Sequence, residues 1–173
     1  MATTPLRFAI KLILGFALLM GAFEASRGSA IERFLVEDVI LVPTTHLIDA
    51  ATPQEHVILV GRTLTSPGSN LCVTRGCEGV EMFLMLAAGI LAYPATWRQR
   101  ARGLALGSLL AYVLSVSRLM ALHYILRHSP AAWEALHGLV LPLGPIVLLA
   151  LYFMLWSQRA SPASAATPAP HAA

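Results

Sequence analysis

The stretch "VEMFLMLAAGILAYPATWRQRARGLALGSLLAYVLSVSRLMALHYIL", residues 80–126, decides the fold. Two apolar runs flank one short basic loop, "WRQRARG" at 97–103. Glu81 and Arg118 are the only charged residues inside the runs. A helix of roughly 20 apolar residues reaches across a bilayer. The pair therefore predicts a membrane hairpin whose turn carries three arginines.

Two further apolar runs lie outward of this hairpin. "RFAIKLILGFALLMGAF" ends at Phe23, and "LVLPLGPIVLLALYFMLW" covers 139–156. The expected spans are about 6–23, 80–95, 104–126 and 139–156. The second is the shortest. Pro142 and Pro145 lie in the first turns of the fourth and bend it there. A cleaved signal peptide is the alternative for the first run, because "EASRGSA" at 24–30 is a passable cleavage region. The four-span topology favours retention. Composition agrees with a membrane chain. It is 57% hydrophobic and only 12% charged, where a soluble domain carries about 25% charged residues. Residues 1–157 are expected to form a single membrane domain.

Orientation follows from Lys and Arg. Arg7 and Lys11 open the first span, Arg98, Arg100 and Arg102 fill the hairpin loop, and Arg159 follows the fourth span. All nine acidic residues lie elsewhere, from Glu24 to Glu81 and at Glu134. Both termini and the 97–103 loop are thus expected on the cytoplasmic side. The net charge of +3 is a topology signal and points to no nucleic-acid partner. The Ala/Pro/Ser-rich tail, 158–173, reads as disordered.

The other side receives residues 24–79 and a short loop near 123–138. In "AIERFLVEDVILVPTTHLIDAAT", apolar Ile31, Phe34, Leu35, Val39 and Leu41 recur among charges. That pattern predicts an amphipathic helix lying on the membrane surface. After Pro53, "EHVILVGRTLTSPGSNLCVTRG" is β-rich with a turn at "SPGSN", a small hairpin leading into the second span. There are no internal repeats. The expected class is an all-α integral membrane protein. It has four transmembrane helices, with an extracytoplasmic amphipathic helix and a β-hairpin before the second.

Cys77 falls at the outer mouth of the second span. A helix N-terminus there offers unpaired N–H groups and partial positive charge, a setting that favours a reactive thiol. Gly76 and Gly79 would let a substrate backbone approach. The plain alternative is a small buried hydrophobe. Arg118 lies late in the third span, on the Cys77 side. A guanidinium within a membrane segment faces a polar cavity or a partner, and Glu81 or the interface are its ordinary partners. His123, His128 and His137 lie on or beside the second outer loop, and His137 directly precedes the fourth span. Each alone reads as interfacial. Together, a thiol, an arginine and a histidine at one level supply a nucleophile, an oxyanion stabiliser and an acid/base.

These features resemble the exosortase/archaeosortase family of membrane cysteine transpeptidases. The resemblance rests on "CEG" at the head of a span, an arginine late in the next and a histidine before the last. It covers the family's core, roughly 57–156, and the preceding amphipathic segment is also similar. Glu78 replaces the serine more common after the cysteine, and Ser115 stands where an asparagine often precedes the arginine. The chain looks like a compact single-core variant beside the eight-span bacterial members. The resemblance implies cleavage of C-terminal sorting signals (PEP-CTERM-like: a motif, a membrane helix, a basic end) on exported proteins. It implies transfer to an acceptor through a thioester, with Cys77, Arg118 and His137 catalytic. It also implies a bacterial inner-membrane location with the site on the periplasmic side. Expected partners are such substrates and membrane lipid. No cofactor or metal is expected, because the histidines and cysteines have no ligand spacing.

Two rival readings stand beside it. Cys72, five residues before Cys77, allows a disulfide in an oxidising compartment and hence a thiol-redox protein, although the second outer loop has no cysteine. A non-catalytic membrane partner in an export or polysaccharide complex is the other. Glu81 is read as orienting His137, pairing with Arg118, or an ordinary interfacial carboxylate.

Overall fold

The structure, a computed structural model, describes residues 5–74 and 76–160. Helix α1 is Pro5–Ala25. A continuous helical run, α2, joins Ala30–Arg33, the π-helical Phe34–Leu41 and Val42–Ala51. Strands β1 (Ile58–Val60), β2 (Thr63–Ser66) and β3 (Ser69–Cys72) follow. Then come α3 (Val80–Ala92), α4 (Trp97–His128) and α5 (Leu141–Ala160). Short helical turns over Pro130–Ala132, Trp133–Ala135 and Leu136–Val140 lead into α5.

Among the described residues, three helical runs are long and apolar enough to cross a membrane: Pro5–Ala25, Trp97–His128 and Pro130–Ala160. The chain is a multi-pass membrane protein. The second apolar stretch, expected as a span over 80–95, forms a helix of 13 residues ending at Ala92. At 1.5 Å per residue it is about 20 Å long, short of the ~30 Å hydrocarbon layer. Pro94 helps stop it, and Thr96 opens α4 with a capping box. The Thr96 N–H donates to Gln99 Oε1 at 2.9 Å, and the Gln99 N–H donates back to Thr96 Oγ1 at 3.4 Å. Of the expected tail, 158–160 continue α5 and the rest lies outside the described residues.

Gly103, Gly107, Ala111 and Ser115 are all buried along one stripe of α4. Small residues four apart let helices approach closely. A Cβ on Gly103 would stand 2.5 Å from Trp156 of α5, and one on Gly107 would stand 2.8 Å from Leu86 of α3. Leu86, Ile90, Ala111 and Leu149 fill the resulting bundle core. Beside the basic loop, Phe8, Tyr93, Phe153 and Trp156 pack ring on ring.

The other end carries a headpiece. The expected hairpin is a three-stranded antiparallel meander in the order β1–β2–β3, with Leu59 opposite Leu64 and Leu64 opposite Leu71. The second turn, Pro67–Gly68, falls where "SPGSN" places it. The first, Gly61–Arg62, adds the extra strand. Helix α2 buries Val36, Ile40, Leu41 and Ile48 against this sheet and the outer third of α4. Of the five apolar residues expected to form its membrane face, Leu41 is buried, Val39 is half-buried, and Ile31, Phe34 and Leu35 are exposed. Cys77 belongs to the headpiece core, with Leu119 and Leu122 of α4.

Candidate active site

Cys77 does not begin α3. Gly79 is the N-cap, so Cys77 lies two residues outside the helix, in a turn closed by its N–H donating to Thr74 O at 3.1 Å. The expected helix-dipole setting is thereby weakened, because the effect fades beyond the first turn. Glu81 is in the first turn of α3, whereas Cys77 lies outside the helix, so the two share no helix face. The thiol is 7% exposed and lies 3.7 Å from Thr74 Oγ1.

Gly76 and Gly79 both take left-handed backbone conformations, φ 81°, which side-chain-bearing residues rarely adopt. Their role is conformational. A Cβ on Gly79 would stand 2.2 Å from Ser115 Oγ, so the turn presses directly on α4. Ser115, one turn before Arg118, is thus the surface on which the Cys77 turn rests.

Arg118 reaches this turn. Its Nη1 donates to Gly76 O at 3.1 Å, and its buried Nε has no hydrogen-bond partner among the described residues. The residue is 6% exposed. No acidic side chain among the described residues pairs with it, so a pair with Glu81, one of the open readings, does not form. Glu81 instead turns its carboxylate toward Gly76, 3.4 Å from where a Cβ would stand. Arg118 lies 16 residues beyond Arg102, about 24 Å along the helix axis. The Cys77–Arg118 pair is thus nearly one hydrocarbon thickness from the basic loop.

His137 sits in the π-helical Leu136–Val140. Its ring stacks on Trp133 at 4.8 Å, nearly parallel, and its buried Nδ1 has no partner. Trp133 packs against the headpiece core that contains Cys77. No hydrogen bond joins His137 to Cys77 or Arg118. The structure brings Arg118 to the Cys77 turn, and Trp133, on which His137 stacks, packs against the core that contains Cys77.

His123 and His128 have different duties. His123 is fully buried inside α4, with Nε2 2.6 Å from Glu55 Oε2. Arg127 Nε meets the same carboxylate at 2.8 Å, and exposed His128 stands 3.9 Å from it. This cluster fastens the 53–55 turn to the outer end of α4, and the Thr52–Tyr124 hydroxyl pair (2.9 Å) adds to it. Neither cysteine is in a disulfide. Cys72 is exposed and Cys77 is buried. Among the described residues no three His, Cys, Asp or Glu side chains converge to hold a metal.

A second group went unread in the sequence. Arg62 donates to Glu32 at 2.8 Å and Glu78 at 3.2 Å, with Glu37 at 3.9 Å. Burial pushes the Glu78 carboxyl up, opposed by Arg62. The Gly28 N–H, bonded at 2.6 Å, helped by Arg62, holds Glu32 down. "SAIE" at 29–32 carries the S-x-x-E capping signature that could have located Glu32. Nothing in local spacing marks Arg62. Two apolar cavities, about 460 and 470 Å³, flank the first turn of α3. One is bordered by Glu81, Phe16 and Phe153, the other by Glu78, Gly79, Phe83 and Ser115.

The family model for transmembrane exosortases matches residues 9–151. That match spans the bundle, the headpiece and all three expected site residues. The chain belongs to the transmembrane exosortase family. Neither a curated protein nor a solved structure matches it. For this exosortase, the match extends well upstream of the 57–156 core on which the sequence resemblance rested. It takes in α1 and α2, whose C-terminal and middle parts border the cavity beside Glu78.

Proposed function

We propose that this exosortase is a cysteine transpeptidase that cleaves C-terminal sorting signals and passes the new C-terminus to an acceptor. One observation carries the reading. A buried arginine inside α4 holds the carbonyl of Gly76, next to the thiol, while its own Nε–H has no hydrogen-bond partner among the described residues. A buried, unspent charged donor beside a nucleophile is suited to a developing oxyanion.

In the proposed reaction Cys77 passes its thiol proton to His137, and the thiolate Sγ attacks the scissile carbonyl carbon. Negative charge gathers on the carbonyl oxygen, where the free Arg118 N–H receives it. The C–N bond breaks, and His137 gives its proton to the departing amine. The acyl group remains on Cys77 as a thioester. An acceptor nucleophile, losing its proton to His137, attacks the thioester and releases the thiolate. His137 must come closer than its place on Trp133 for this, and catalytic hydrogen bonds often tighten only in the substrate complex. The apolar cavity beside Glu78 and Gly79 suits the membrane-embedded part of such a substrate. The periplasmic placement of the site in a bacterial inner membrane belongs to the same reading. It is supported by the arginine loop at the far end of the bundle.

Cys72 points away from the core on β3 while Cys77 points into it, which speaks against the redox alternative. The test is co-expression with an exported protein ending in a motif, an apolar helix and a basic tail. Cys77→Ser is expected to accumulate normally and abolish processing, while Cys72→Ser processes as wild type. Processing by Cys77→Ser would favour the non-catalytic alternative.

A further inference from the structure

Arg62 stands in the β1–β2 turn, far in sequence from Cys77, yet it forms the main charged tie to the residue beside it. Its three guanidinium nitrogens are divided among three carboxylates. Nη1 takes Glu78, Nη2 takes Glu32, and Nε lies 3.9 Å from Glu37. Glu32 is itself anchored by the Gly28 N–H at 2.6 Å. Glu78 is 4% exposed. A carboxylate so buried is costly unless it is paired. Its charged surroundings are Arg62 and Arg27 on one side of the balance and Glu32 and Glu81 on the other. Among the described residues the turn's other fastenings are the Cys77–Thr74 backbone bond, the Thr74 hydroxyl near Sγ, Arg118 on Gly76, the Phe83 N–H on Gly79 O and the close approach of Gly79 to Ser115.

We infer that Arg62 is a positioning residue for Cys77. Through Glu78 it locks the 76–79 turn to the sheet and to α2, keeping the thiol buried and level with Arg118. The inference rests on Cys77 being the nucleophile, and it assigns a role to the glutamate that replaces the family's more usual serine. Arg62 acts by geometry and by cancelling a negative charge next to the thiol. It touches no reacting atom.

Alkylation of Cys77 by N-ethylmaleimide tests this without any substrate. The full chain, purified in detergent and carrying Cys72→Ser, reports Cys77 alone. In R62Q the buried Glu78 loses its cation and must reach water, drawing the turn open. The expected gain in alkylation rate at pH 7.5 over the parent is about tenfold, the equivalent of one modest broken buried pair. The gain shrinks as the pH is lowered into the range where Glu78 holds its proton. R62Q/E78Q returns the rate to within about twofold of the parent, because the Cys77 turn then carries no unpaired buried charge, and Glu32, away from the turn, keeps its Gly28 N–H. R62Q/E32Q does not. This selectivity separates positioning of Cys77 from a general loss of stability. If R62Q fails to accumulate, R62K, which keeps the charge and loses the fork, is expected to show the same pattern at about threefold. An unchanged rate in the arginine variant, or equal rescue by E32Q and E78Q, would overturn the inference. Either result would leave the transpeptidase reading standing, since that falls only if Cys77→Ser still processes substrate.

Discussion

Gly79→Ala is the substitution that most sharply tests how the thiol is held. The backbone there has φ 81°, and the added Cβ would lie 2.2 Å from Ser115 Oγ and 3.2 Å from Ser115 Cβ. The left-handed conformation costs a non-glycine residue about 1–2 kcal/mol. Forcing a methyl into the contact costs about 1–3 kcal/mol more, because Ser115 is fixed on a helix and cannot retreat far. The expected loss is about 3 kcal/mol, which lowers the thermal midpoint by about 6–12 °C for a chain of this size. Ser115→Ala removes the closest atom but neither the 3.2 Å contact nor the backbone strain. The double variant is therefore expected to recover about half of the loss, while Ser115→Ala alone shifts the midpoint by no more than about 2 °C. Thermal unfolding in detergent, followed by intrinsic fluorescence across the four chains, reads the cycle. If Gly79→Ala melts with the wild type, or Ser115→Ala gives no recovery, the Cys77 turn does not rest on α4 as described.

Further outcomes follow from the same packing. Gly103→Ala would bring a Cβ to 2.5 Å from the Trp156 indole, and a loss of about 1–3 kcal/mol is expected. Pairing it with Trp156→Phe should relieve part of that loss in the same melting assay. His123→Ala strips Glu55 of a buried partner. It should cost about 1–3 kcal/mol and speed hydrogen exchange in the 52–57 segment ahead of the bundle. For pH, Glu78 and Glu32 act in opposite senses around the ordinary value of 4.5. The raised Glu78 binds its proton more tightly folded than unfolded. Its contribution is complete below that value and lost as pH climbs through the raised folded one. The lowered Glu32 contributes above 4.5, and its share is lost in acid. Glu78→Gln should flatten the decline on the rising side and Glu32→Gln the acid loss, both read as melting midpoint against pH.

The bundle was legible because membrane helices are written in long apolar runs, and the arginine loop punctuates them. Its close packing went unread: Gly103, Gly107, Ala111 and Ser115 stand four apart, a pattern the hydropathy runs obscured. The β meander was half legible. Pro67–Gly68 announces its turn, whereas Gly61–Arg62 is short and flanked by apolar residues that read as one strand. Arg118 stood out because charge within a span is costly. Its partner did not, since the partner is a backbone carbonyl, which any residue supplies. Arg62 was illegible for the converse reason. An arginine in a polar loop is unremarked until the fold brings Glu32 and Glu78 to it from 30 residues before and 16 after. His137 was found by its order in the chain, but order says nothing of the Trp133 ring that holds it aside.

The most direct measurement is a search for the acyl-enzyme. The wild-type chain, co-expressed with a protein bearing a C-terminal motif, apolar helix and basic tail, would be trapped in mild acid during processing and its Cys77 peptide weighed. The account predicts that Cys77 carries the truncated substrate as a hydroxylamine-labile adduct, absent in Cys77→Ser. An unmodified Cys77 peptide, together with processing that continues in Cys77→Ser, would contradict it.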